Sequence, residues 1–278
     1  MNTAMWAHPA VQANVGSLRG FGHLIVEPAE GLLACGEEGA GKLAELDVIL
    51  EAMETACSPR IPVLAGRRVL VTAGPTREDL DPVRTLTNRA SGSMGIELAR
   101  ALRDAGAQVH LVLGGELKAP RGVEIVRVRS AQAMLEACQA VWSDMDGLVA
   151  AAAVADQRPE HCAPEKVKKQ DGPEHLTLVR TPDILATLAR ARRRNQWAVG
   201  FAAESENHLA NALGKLTQKN LDAVLVNDIS EGRGFGAQAN TLTPVTAQGP
   251  GTPLGPLAKD RLAQATVAWL GDFLGSRS

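Results

Sequence analysis

The residues best suited to chemistry fall in short polar segments, each placed just after an apolar run. TAGPTRE (72–78) opens the series and DPVRTLTNRASGSMG (81–95) follows it. In the second segment Asn88, Ser91, Gly92 and Ser93 precede a helical pattern. Hydroxyls and unpaired backbone N–H groups then converge on one spot, as an anion site requires. Helix capping by Ser91 or Ser93 accounts for the same residues and is compatible with phosphate contact. AAAVADQRPEHCAPEKVKK (151–169) runs from small residues through Asp156 to Lys166, Lys168 and Lys169. A lysine on such a loop can neutralise charge developing on a phosphate. An ordinary solvated basic run has the same composition. In TPDILATL (181–188), Pro182 and Asp183 mark a helix start, with Ile184 and Leu185 behind them. Phe201 sits in the small-residue strand end GFAAE, where core packing is its default role, and Lys215 and Lys219 share one helix face, where surface lysine is theirs.

These segments need a scaffold that brings them to one place. Strands are predicted at RVLVTAG, QVHLVLG, VEIVRV, DGLVAAAAV, WAVGFAA and LDAVLVND, with helices near 93–105, 131–142, 183–194 and 206–219. Met94, Leu98, Ala101, Leu102 and Ala105 share a face of the first helix. Apolar strands alternating with helices predict an α/β, Rossmann-like three-layer fold with a mostly parallel sheet. Ligands bind beyond the carboxyl ends of such strands. That gathers TAGPTRE, AAAVAD, GFAAE and VND on one edge. Residues 1–50 are glycine-rich and poorly periodic, an irregular N-terminal segment; residues 51–66 read as a linker and 67–278 as the main domain. A turn-rich loop (247–256) precedes a final helix over 257–274, to which the pattern assigns no role.

Composition narrows the field. Lys plus Arg (29) nearly balances Asp plus Glu (31), and aromatics make up 3%, which gives no general case for nucleic acid. No apolar run suits a membrane span, so a soluble, cytoplasmic protein is expected. The cysteines at 35, 57, 138 and 162 show no metal spacing, and the histidines have no ligand partners, so no protein-held metal site is expected. GEEGAGK (36–42) fits a phosphate loop until Leu43, which stands where Ser or Thr is required; a glycine-rich turn is the better reading. A nicotinamide-dependent oxidoreductase of NADP type is weakened by a lone Gly74 in place of a glycine fingerprint and by the absence of Tyr.

As an ordered series, TAGPTRE, DPVR, N-x-x-SG-x-MG, AAVAD, PEKVKK, TPDIL, GFAAE and K-x-x-x-KN–VND resemble phosphopantothenoylcysteine synthetase, the phosphopantothenate–cysteine ligase domain of a bacterial bifunctional coenzyme A biosynthesis protein. The opening MNTAMWAHPAVQANVGSLRGFG and GLLACGEEGAGKL resemble the end of its fused partner, the flavin-dependent phosphopantothenoylcysteine decarboxylase. The resemblance implies a ligase using CTP with Mg2+ to join 4′-phosphopantothenate to L-cysteine through an acyl-cytidylate, with homodimers formed through that domain. It matches Lys166 to the catalytic lysine and Asn88 to the asparagine of the acyl-cytidylate step. It matches Asp156, Pro182, Asp183, Ile184, Leu185, Phe201, Lys215 and Lys219, with Lys166, to nucleotide contacts, and Ser91, Gly92 and Ser93 to the phosphate and substrate loop. Ser93 stands where some relatives carry lysine. Asn2 matches the decarboxylase's substrate-binding asparagine and Cys35 its proton donor, whereas isolated His8 reads as structural. Because the chain begins inside that asparagine motif, residues 1–50 are expected to be a decarboxylase remnant with Cys35 idle, and FMN is not expected to bind. A non-catalytic nucleotide-binding subunit is the other alternative.

Overall fold

The computed structural model describes residues 1–57, 62–168, 175–204, 208–228 and 239–276. Lys169 and the SPR of the expected linker lie outside them. The chain divides into two compact units, Met1–Arg60 and Ile61–Ser278.

The first unit is more regular than its composition suggests. Asn2 caps the helix Thr3–Ala7, accepting from the Met5 N–H at 2.8 Å. His8 caps the helix Pro9–Gly20 through Nδ1, which accepts from the Ala10 N–H at 3.2 Å. GEEGAGK supplies the antiparallel strand Glu38–Lys42, which pairs with Ala29–Leu32 and places no phosphate cradle at a helix start. Residues 51–57, expected in a linker, continue the helix Leu46–Cys57.

The second unit is an α/β fold with a mixed, mostly parallel sheet. Six parallel strands lie in the spatial order Glu124–Val128, Gln108–Gly114, Arg68–Ala73, Gly147–Ala150, Trp197–Glu204 and Ala223–Asp228. Ala239–Thr246 adds an antiparallel strand beyond Ala223–Asp228. The order reverses between Arg68–Ala73 and Gly147–Ala150, which opens a crevice at their carboxyl ends. Helices Ser93–Asp104 and Lys259–Gly275 cover one face through Leu98, Leu102, Leu262 and Leu270. Ala131–Trp142, Ile184–Arg190 and His208–Gln218 cover the other through Met134, Leu188 and Leu216.

Two elements are shorter than the pattern predicts. The run expected as a strand to residue 154 leaves the sheet at Ala150, although the Ala151 and Ala153 N–H groups still donate to Thr72 and Gly74 carbonyls, each at 3.0 Å. The helix expected to residue 194 ends at Arg190. Arg192 instead pairs with Asp222, and the Arg193 N–H donates to Gln196 Oε1 at 2.7 Å.

Backbone crowding fixes the crevice. Gly74 has φ +78°, and a Cβ there would lie 2.0 Å from the Gly114 carbonyl oxygen. Gly92 has φ +79°, and its Cβ would lie 2.5 Å from the Gly74 Cα. Neither position accepts a side chain without moving backbone.

The polar residues of the first two motifs hold neighbouring loops in place. Buried Thr76 Oγ1 accepts from the Ala155 N–H at 2.9 Å, and buried Glu78 accepts from the Ala131 N–H at 2.8 Å. Asp81, 1% exposed, takes both the Arg84 guanidinium and the Val167 N–H on Oδ2, at 2.7 and 3.3 Å, and two backbone N–H groups on Oδ1. It therefore ties the DPVR turn to the loop carrying Lys166. The Arg84 side chain, helped by the N–H groups of Val83, Arg84 and Val167, outweighs burial and holds the Asp81 carboxyl well below the usual carboxylate range.

Two outcomes follow from this packing. Gly92→Ala should lower stability by about 2 kcal/mol or more, whereas Gly214→Ala, with nothing within 4 Å of a new Cβ in the helix His208–Gln218, should raise it by roughly 0.5–1 kcal/mol; chemical denaturation of both variants measures the contrast. A depressed carboxyl stabilises the fold fully above its unfolded pKa and loses that contribution as pH falls. The wild type should thus become less stable below about pH 4, and Asp81→Asn should be weaker at neutral pH, flatter in its acid response and faster to be cut by protease within 163–168. An acid unfolding curve and cleavage rate identical to wild type would refute the anchoring role.

Candidate functional site

The segment 151–154 leaves the sheet at the reversal point and has a cavity on each side. One, of about 670 Å³, is lined by Ala152, Val154, Asp156, Phe201, Lys215 and Lys219, with Pro182, Asp183, Ile184 and Leu185 along one wall. The other, of about 190 Å³, is lined by Ser91, Gly92, Ser93, 151–153, Phe201 and Lys259. Phe201 is half-buried and borders both. The fold thus brings the strand-end and loop candidates to one edge, as the alternation of elements predicts.

Most charges at the larger cavity already have partners. Asp183 Oδ1 caps its helix, accepting from the Ala186 N–H at 3.0 Å, and Oδ2 meets Lys219 Nζ at 2.7 Å. Burial works to raise the Asp183 pKa, but the Lys219 bond, the Ala186 N–H and the charges of Lys219 and Lys215 together bring it below its ordinary value. Lys215 donates to the Phe201 carbonyl at 2.7 Å. The lysine pair therefore frames the cavity while bracing its wall. Arg180 is a further cation in that wall which the sequence pattern did not single out.

At the smaller cavity, Ser91 Oγ accepts from the Ser93 N–H at 3.4 Å, the first N–H of the helix Ser93–Asp104. Gly92 is the N-cap of that helix and has no side chain of its own to accept. The Ser91 and Ser93 hydroxyls lie 3.0 Å apart, and Lys259 Nζ donates to Ser93 Oγ at 2.9 Å. Lys259 was missed because a single lysine at the start of a C-terminal helix carries no spacing signal.

Two expected catalytic residues stand differently. Asn88 Nδ2 donates to the Ala153 and Val154 carbonyls, each at 3.1 Å. Its amide N–H groups thus hold the dividing segment. Lys166 is exposed on its loop and lines neither cavity, and Lys168 is exposed beside it.

In the first unit Asn2 and Cys35 line one cavity of about 470 Å³, with Met5, Leu33 and Lys42. Cys35 is exposed, and its Sγ lies 3.7 Å from Glu37 Oε2. Burial pushes the core thiol of Cys138 up to about 12, which leaves it inert. Among the described residues no three His, Cys, Asp or Glu side chains gather where they could hold a metal ion, and no helix is long and apolar enough to cross a membrane.

Comparison with known proteins places this geometry. Residues 64–273 match the family described as DNA/pantothenate metabolism flavoprotein C-terminal domain, and residues 1–58 match the family described as Flavoprotein. The chain is 42% identical over 247 residues to the coenzyme A biosynthesis bifunctional protein CoaBC of Vibrio parahaemolyticus, covering 87% of this chain and 61% of that protein. It is 40% identical over 293 residues to the CoaBC protein of Mycobacterium bovis, covering 100% of this chain and 70% of that one. A crystal structure of the C-terminal domain of a CoaBC protein superposes with a TM-score of 0.66 at 36% identity, covering 77% of this chain and 99% of that domain. The chain thus spans about three fifths of the first of these relatives.

These matches correct the functional expectation. The family descriptions name flavoproteins over both units, and none of the matched descriptions names a ligase, CTP or magnesium. The phosphopantothenate–cysteine ligase assignment is withdrawn on that ground, with CTP, Mg2+ and the substrate set of 4′-phosphopantothenate and L-cysteine. The exclusion of FMN is withdrawn too, since the family is described as a flavoprotein. With 64–273 matched to one model and 1–58 to the other, the chain belongs to the DNA/pantothenate metabolism flavoprotein family of CoaBC-type coenzyme A biosynthesis proteins.

Proposed function

We propose that this chain binds 4′-phosphopantothenoylcysteine in coenzyme A biosynthesis and takes part in its decarboxylation. The observation that carries the proposal is the meeting of Asn2 and Cys35 in one cavity, although 32 residues of chain separate them. Asn2 offers an amide that can hold a substrate carboxylate or carbonyl, and Cys35 offers an S–H proton. In net terms decarboxylation breaks a C–CO2 bond and puts a proton in its place. A thiol beside the carbon left behind can deliver that proton.

The family's flavin is not accommodated by these residues alone. The cavity lining holds no aromatic ring to stack on an isoalloxazine, and its cations are already engaged, Lys42 with Glu45 at 3.0 Å and the Met1 ammonium with the Gly41 carbonyl at 3.0 Å. No step is therefore assigned to the flavin.

The sheet edge supports the second half of the proposal. A phosphorylated, elongated ligand suits a crevice at a reversal of strand order, bounded by small residues that allow close approach. Asn88 keeps the dividing segment in place there.

Carbon dioxide released from carboxyl-labelled 4′-phosphopantothenoylcysteine, with FMN supplied, tests the activity. Cys35→Ser should lower the rate by roughly 100-fold or more, as loss of a general acid does. Asn2→Asp keeps the helix cap, since Asp caps as well as Asn, but repels a substrate carboxylate. Its KM should rise by about 10-fold, the scale of one hydrogen bond to a charged group. No labelled carbon dioxide from the wild type, or full activity in Cys35→Ser, would overturn the proposal.

A further inference from the structure

We propose that Lys259 is the cation of a phosphate-monoester subsite which it forms with Ser91 and Ser93, making the C-terminal helix an element of ligand recognition. The inference rests on the phosphorylated ligand proposed above and names the group that recognises its phosphate.

Three polar side chains converge in the lining of the 190 Å³ cavity. Lys259 Nζ donates to Ser93 Oγ at 2.9 Å, and Ser93 Oγ lies 3.0 Å from Ser91 Oγ. An ammonium and two hydroxyls together make a donor set for a tetrahedral oxyanion, because each hydroxyl rotor can turn to donate. The ammonium has three donors, and the partner it meets here is a neutral hydroxyl.

Its setting differs from that of the other lysines on this edge. Lys219 is paired with the Asp183 carboxylate at 2.7 Å, and Lys215 donates to the Phe201 carbonyl at 2.7 Å. A phosphate meeting Lys219 competes with a carboxylate already in place; one meeting Lys259 competes with a serine hydroxyl. The position is also costly for the helix itself. Lys259 is the first residue of Lys259–Gly275, where the helix dipole disfavours a positive charge, and no side chain caps that end. Packing does not explain the ammonium, because the helix is held by Leu262, Ala263, Val267 and Leu270 further along. Those buried residues fix the point from which Lys259 reaches across to Ser93, 166 residues away in sequence.

Calorimetric titration of wild type, Lys259→Met and Lys259→Arg with 4′-phosphopantothenoylcysteine and with its dephosphorylated form tests the subsite. Methionine keeps the length and apolar stem, so folding should be unchanged, and the thermal unfolding midpoint checks this. Lys259→Met should weaken the phosphorylated ligand by roughly 30-fold, within the range for a hydrogen bond to a charged group. It should leave the dephosphorylated ligand unchanged, and Lys259→Arg should recover most of the loss. Equal weakening of both ligands, or none, would overturn the subsite. If the wild type binds neither pantothenoyl compound, the ligand reading fails on its own, and titration with inorganic phosphate decides the subsite. Binding by wild type that is lost in Lys259→Met sustains it, and no binding by wild type refutes it.

Discussion

The close approach of three backbone segments at the end of the strand Arg68–Ala73 is the constraint on which the rest depends. Gly74 lies against the Gly114 carbonyl, and Gly92 lies against Gly74, so each tolerates hydrogen alone in place of a side chain. This contact sets where the helix Ser93–Asp104 begins and therefore where Ser91 and Ser93 point. It also leaves the neighbouring segment 151–154 to exit the sheet beside them, dividing the crevice into two cavities. A side chain at either glycine would separate these parts by moving backbone, which a packed interior resists.

Around that contact, polar groups act mainly as fasteners. Thr76 and Asn88 bind backbone of the segment 153–155, Glu78 that of Ala131 and Asp81 that of Val167, so the motif residues that look chemical in sequence work largely by fixing geometry. Lys215 and Lys219 do the same for the wall of the larger cavity. Ser91, Ser93 and Lys259 bond to one another instead, and Lys166 and Cys35 are exposed. Such a division is expected where a rigid scaffold presents loops for binding.

Much of the second unit was legible because its signals are local and repeated. Apolar strands such as Val69–Val71 and Leu111–Leu113 alternate with helices whose faces show a 3.6-residue period, and that pattern alone implies the sheet and its functional edge. Sequence fails where tertiary contacts decide. The run of alanines after Ala150 keeps its hydrogen bonds to the Thr72 and Gly74 carbonyls but loses regular strand pairing and lines the crevice. Arg192 has ample helix propensity but leaves the helix to meet Asp222. Asn88 was expected to serve a reacting oxygen, and only the fold reveals the two carbonyls that take its N–H groups. Lys259 could not be found by spacing, since its partner lies at the far end of the domain sequence. The functional assignment drawn from motif order named a ligase, whereas the matched families are described as flavoproteins.

The central claim is that a phosphorylated pantothenoyl compound binds at the reversal point of the sheet, on both sides of the segment 151–154. Backbone amide resonances of the labelled chain, followed by nuclear magnetic resonance during titration with 4′-phosphopantothenoylcysteine, test this most directly. Saturable shifts at 91–95, 151–156 and 181–185, and at Asn2 and Cys35 in the first unit, are predicted. Shifts confined to the opposite, amino-terminal ends of the strands, or an absence of saturable shifts in these three segments, would contradict the account.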